Sequence, residues 1–91
     1  MTKLLDQALD IITDTLYHIK SKQDMRDFLE DLLTPQEWLE VSERIQLVKQ
    51  LLNGKTQRDV ASDLGISITT VNRWARMIKY GTGSFAKLLQ S

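Results

Sequence analysis

Residues 56–75 read TQRDVASDLGISITTVNRWA, and the fold class follows from how this stretch must turn. Thr56 is a good N-cap, and Asp59 stands at the N3 position, where an acidic group meets the free N–H groups of a first turn. Val60 and Leu64, one turn apart, supply the apolar face of a short helix, and Ala61 is small where a second helix must approach closely. Gly65 permits the left-handed backbone that a tight helix-to-helix connection needs. Ser67 caps the next helix, which buries Val71, Ile78 and either Ile68 or Ala75. Its other side carries Thr69, Asn72, Arg73 and Arg76, short polar and basic groups able to reach base edges and phosphates. Two helices joined at a glycine are ordinary. An alanine four before the glycine, a serine two after it and β-branched packing residues beyond are much more specific. The pattern predicts a helix-turn-helix whose second helix lies in the major groove of DNA, against the alternative of a structural hairpin that binds nothing.

Toward the N-terminus the periodicity stays helical. From Lys3 to Ile19 the apolar positions Leu4, Leu5, Ala8, Leu9, Ile11, Ile12, Leu16 and Tyr17 recur at three and four, with Asp6, Asp10 and Asp14 on another face. A polar break at residues 21–24 then precedes a short helix around Met25, Phe28, Leu29, Leu32 and Leu33. In Thr34-Pro35-Gln36-Glu37 a threonine cap, a first-turn proline and a glutamate at N3 predict a capping box. That helix runs through Val41, Ile45, Val48, Leu51 and Leu52 and stops at Gly54. Arg44 lies within it, either packing its stem on the core with its head in solvent or holding an anion in a cleft.

Composition excludes several classes. Ninety-one residues make one domain, and a second chain is a common way to enlarge so modest a core. No cysteine is present, which rules out disulfides and thiolate metal sites. His18, the one histidine, has no metal-ligand partner at a helical spacing and reads as an ordinary helix residue. The metal expectation is therefore none. No apolar run reaches the length of a membrane span or signal peptide, so the expectation is a cytoplasmic protein. Strand signals are absent, and the fold class is all-α with about six helices. Paired carboxylates, a histidine-centred constellation and a phosphate-cradling glycine loop are missing as well, so an enzyme is the least favoured class.

The net charge of zero hides an asymmetry. Residues 1–53 carry six Lys/Arg against ten Asp/Glu, whereas residues 54–91 carry six (Lys55, Arg58, Arg73, Arg76, Lys79, Lys87) against Asp59 and Asp63. A basic half suits a polyanion, and an acidic, apolar half suits assembly. One domain, 1–91, would thus use residues 1–53 as dimerisation helices, 54–79 as the helix-turn-helix and 80–91 as a C-terminal helix.

From Leu33 through Lys79, about half of the chain, the sequence resembles the bacterial tryptophan repressor family. LTPQE (33–37), Arg44, LLNG (51–54), TQRDVASDLG (56–65) and TTVNR (69–73) carry the resemblance. It implies an intertwined homodimer joined through the N-terminal helices, a repressor bound to a palindromic operator, and L-tryptophan as corepressor. By the same resemblance Gln57 and Arg58 would contact phosphate and a base edge. Ser67, Ile68, Thr69, Thr70 and Asn72 would occupy the groove; Arg76 joins the DNA-facing set by its spacing on the second helix, not by the resemblance. Arg44 and Arg73 would sandwich the corepressor's indole, with Leu33, Thr34 and Thr70 lining the pocket. The sequence departs from the family at three places: Trp74 stands where the family has a glycine, Met77 where it has a serine, and Asp31 where it has a leucine. Trp74 and Met77 therefore belong to the same candidate pocket, and Trp74 either packs on the core or fills the indole's space. The segment YGTGSF (80–85) is also similar to a broader group of tryptophan-repressor-like proteins. Two other readings compete, a DNA-binding N-terminal domain of transposase or recombinase type and a helical protein-interaction module. The apolar N-terminal helices, which suit assembly, weigh against the first.

Overall fold

Hydroxyl side chains start five of the six helices, and most of the architecture follows from them. The computed structural model describes residues 2–90. It comprises α1 (Lys3–Tyr17), α2 (Lys22–Leu32), α3 (Pro35–Leu52), α4 (Gln57–Leu64), α5 (Ile68–Tyr80) and α6 (Ser84–Leu89), with no strand among the described residues. The fold is all-α. Thr2, Ser21, Thr34, Thr56 and Ser67 each accept the backbone N–H three residues on, satisfying one of the orphan donors of a first turn. At α3 the box is reciprocal: Thr34 N–H donates to Glu37 Oε1 at 2.9 Å while Glu37 N–H donates to Thr34 Oγ1 at 3.3 Å. These bonds to Thr34, the backbone one foremost, hold the Glu37 carboxyl below its ordinary pKa.

The chain divides into two compact units, one up to Trp38 and one from Leu39. In the first, α1 ends at Tyr17, two residues before the periodicity suggests. The N–H groups of His18 and Ile19 bond to Thr15 and Leu16 carbonyls, a tightened last turn. His18 Nδ1–H donates to the Asp14 carbonyl at 2.6 Å. The polar run 21–24 is not a break before α2 but its beginning. Ser21 is the cap and Lys22-Gln23-Asp24 the solvated first turn. Trp38 is tied back to α2 by an indole N–H bond to the Leu29 carbonyl at 3.1 Å. Neither α1 nor α2 contains a buried residue.

The second unit holds the core. Leu47 and Val48 of α3, Val60 of α4 and Val71 of α5 are fully enclosed. Leu51, Leu64, Ile66, Trp74, Ile78, Phe85 and Leu89 are among the half-buried residues packed around them. Leu51 follows Val48 by three residues and Leu47 by four, so one stripe of that helix faces α4 and α5. α6 closes the unit, with Gln90 Nε2 donating to the Leu52 carbonyl at 3.4 Å.

Candidate nucleic-acid interface

Two Schellman turns set the path of the chain around α4. At its start, Gly54 (φ 93°) follows α3, with its own N–H on the Leu51 carbonyl and the Lys55 N–H on that of Gln50. At its end, Gly65 (φ 67°, ψ 34°) repeats the pattern, its N–H on Ser62 and the Ile66 N–H on Ala61 at 3.1 Å. An L side chain at either position would be strained by the positive φ. The second turn delivers Ile66 to the core, as such turns commonly do with the residue after the glycine. Ser67 then opens α5 at once, leaving three residues between the helices.

α5 buries one face and exposes the other. Val71 is enclosed, Trp74, Ala75 and Ile78 are half-buried, and Ile68, Thr69, Arg73, Arg76 and Lys79 are exposed. Of the two residues offered for burial by spacing, Ala75 is the more enclosed and Ile68 stays 45 % exposed. Gln57, Asn72, Ala75, Arg76 and Lys79 together line an open recess of about 350 Å³. The first residue of α4 thus meets the exposed face of α5. Lys79, seven residues after Asn72 and three after Arg76, shares that face by helical spacing, a signal present in the sequence.

The other positions of interest fall into two groups. Arg58, second in α4, is exposed. Ser67 and Thr70 are occupied with each other, since Ser67 Oγ accepts the Thr70 N–H at 3.1 Å and lies 2.9 Å from its Oγ1. Lys55 forms an ion pair with Asp63. Arg58, Arg73 and Arg76 make no ion pair among the described residues, so their charge is uncompensated by close carboxylates.

Of the residues assigned to a ligand pocket by resemblance, Leu33 and Thr34 lie in the first unit, where Thr34 is engaged in the α3 capping box. Arg44, Thr70, Arg73, Trp74 and Met77 lie in the second. There the guanidinium carbon of Arg44 sits 4.7 Å from the centroid of the Trp74 ring, a cation–π contact from α3 to α5. Phe85 of α6 meets the same ring edge-on, with centroids 6.5 Å apart and planes at 66°. Arg73, one residue before Trp74 in sequence, is exposed, and Met77 is 48 % exposed. Sequence reasoning missed Phe85, because a contact eleven residues away across two glycines leaves no periodic signal.

Comparison with known proteins gives a consistent answer. The profile of the Trp repressor protein family matches residues 7–91. A Trp operon repressor homolog of Xylella fastidiosa is 39 % identical over 71 residues, 77 % of each chain. One from Chlamydia trachomatis is 33 % identical over 75 residues, 77 % of this chain and 80 % of its own. An uncharacterized protein of Bacillus subtilis, YerC, is 25 % identical over 87 residues, 96 % of this chain and 84 % of its own. No solved structure gives a significant match. A helical chain with this turn, this basic exposed face and a profile match over nearly its whole length belongs to the Trp repressor family.

Proposed function

We propose that this protein is a sequence-specific transcriptional repressor that binds a palindromic operator as a homodimer in the cytoplasm. Family membership supports a DNA-binding regulator. The observation that carries the reading to particular residues is the recess joining Gln57 to Asn72, Arg76 and Lys79. In this reading residues 54–79 act as the helix-turn-helix. Gln57 and Arg58 contact phosphate and a base edge and Arg76 and Lys79 touch phosphates, while Ile68, Thr69, Thr70 and Asn72 face base edges from the start of α5, with Ser67 setting its first turn. Residues 1–53 assemble the dimer and 80–91 close the fold of the single domain.

Selection of bound DNA from a random library should return an inverted repeat. Arg58→Ala should weaken binding and lower the salt slope by about one unit as a phosphate contact is lost. Asn72→Ala should instead relax preference at one base pair by roughly 1–3 kcal/mol. If both variants fold and bind like the parent, the recognition surface lies elsewhere.

Dimerisation draws support from the apolar residues of α1: Leu4, Leu5, Leu9, Ile11 and Ile12 are each at least half exposed in the single chain. Leaving so much apolar surface in water is unusual for a stable monomer. Two rigidly joined helix-turn-helix units also gain in affinity through effective concentration. Sedimentation at micromolar concentration should give a dimer, and a monomer with intact DNA binding would contradict this part of the reading.

L-tryptophan, the corepressor implied by the resemblance, does not fit the residues present. Arg44, the first of the two arginines it would need, already covers the chain's own Trp74 indole, and Met77 offers no hydroxyl. A second indole in an occupied slot would overpack it, at a cost on the order of 1–3 kcal/mol or more. Adding L-tryptophan to the library selection should therefore change neither the recovered sequence nor the affinity.

A further inference from the structure

The cluster of Arg44, Trp74 and Phe85 joins three helices at one ring. Trp74 lies at the midpoint of α5, three residues after the buried Val71 and two after Asn72 of the recess. Its face is covered by the Arg44 guanidinium from α3, and its edge is met by Phe85 from α6. The ring is half-buried among core residues, whereas the Arg44 residue remains exposed. A flat, rigid side chain in this place fixes both the distance between α3 and α5 and the rotation of α5 about its own axis. That rotation decides which residues of α5 face outward. A one-residue error in helical phase would turn Asn72 and Arg76 by about 100° and point them away from a groove.

We infer that Trp74 is a positioning residue that sets α5 for DNA, acting as a built-in aromatic ligand held by Arg44 and Phe85, and that its truncation opens a site for free indole. The inference rests on the DNA-binding reading above. Planar aromatics are the class of ligand this slot accepts, since a guanidinium on one face and a ring edge at the side complement an aromatic quadrupole. Removing the half-buried Trp74 ring leaves a ring-sized gap between the Arg44 guanidinium and the Phe85 edge that an aromatic of matching shape can refill. Conformational freedom in α5 is what such a ligand removes, because a chain whose binding-competent pose is partly populated binds more weakly in proportion.

The test uses the full chain and a DNA site recovered by selection, at a temperature where circular dichroism shows each variant folded. Trp74→Ala should bind DNA at least about tenfold more weakly, as its competent fraction falls. Millimolar indole should recover most of that loss and raise the melting temperature of this variant without affecting the parent. Trp74→Phe should stay close to the parent, since a ring remains. Arg44→Met keeps the aliphatic stem and loses the charge, and should weaken binding by about 3- to 30-fold, the range of a cation–π contact. Arg44→Lys should restore part of it. If Trp74→Ala does not fold, the Arg44 variants decide, because they leave the ring in place. Parent-like DNA binding by folded Trp74→Ala, or by Arg44→Met, would overturn the inference. Failure of the parent itself to show salt-sensitive DNA binding would instead remove the DNA-binding reading, and the two failures are distinguishable.

Discussion

Raising monovalent salt from about 50 to about 200 mM should weaken operator binding on the order of a thousandfold. Arg58, Arg76 and Lys79 are exposed, and the two arginines make no ion pair among the described residues. Lys55 is spoken for by Asp63. In the proposed homodimer three such cations per protomer would give about six phosphate contacts, and each contact releases nearly one condensed counterion, so the logarithm of affinity should fall with a slope near −5 against the logarithm of salt. Fluorescence anisotropy of a labelled duplex across that range measures it directly. A helical module that docks on a protein through an apolar surface would show a slope near zero, so a flat profile would decide for that alternative.

Leu47→Ala should cost about 2–5 kcal/mol of stability. Leu47 is 1 % exposed and shares its enclosure with Val48, Val60 and Val71, which together are the fully buried side chains of the described residues. So small a core cannot collapse around a missing isobutyl group without moving the α4–α5 unit it supports. For a domain of this size the loss corresponds to a fall in melting temperature on the order of 10–30 °C. Thermal melts by circular dichroism, run at one fixed chain concentration because association raises apparent stability, provide the measurement. Leu88→Ala is the control, since Leu88 is 78 % exposed and should shift the melt by a few degrees at most. A shift for Leu47→Ala no larger than that of the control would mean the core has been misplaced.

What could be read from the sequence and what could not divide by range. Thr34, Thr56 and Ser67 were legible as caps because a cap is a local bond, made by a hydroxyl with an N–H three residues away. Gly54 and Gly65 were legible because positive φ is a demand on one residue. Ser21 makes the same kind of cap, yet Lys22-Gln23-Asp24 looked like a loop. The first turn of α2 is wholly polar, and periodicity becomes visible only at Met25. Ile66 is not legible as a core residue from α5's spacing because it precedes the helix, and it is the turn before it that directs Ile66 inward. For Arg44 the sequence left two roles open, a solvated head on a packed stem and a cleft arginine. The contact with Trp74 is a third arrangement, which depends on where α5 crosses α3 and so on tertiary packing that no window of sequence contains. The proposed DNA-facing set is mixed in the same way. Asn72 and Arg76 follow from α5's own spacing, but their meeting with Gln57 depends on the angle of the turn.

The unburied state of α1 has a consequence for the protein's lifetime. A helix of fifteen residues with no enclosed side chain is held by little more than its own backbone bonds, and such lengths are marginal in water. While its apolar face is uncovered, the amides between Lys3 and Tyr17 open readily to solvent, and an opened segment is a substrate for proteolysis. Any surface that covers that face also closes the cleavage sites. Turnover of the chain would then be fast for copies left alone and slow for copies engaged, so abundance would follow engagement as well as synthesis.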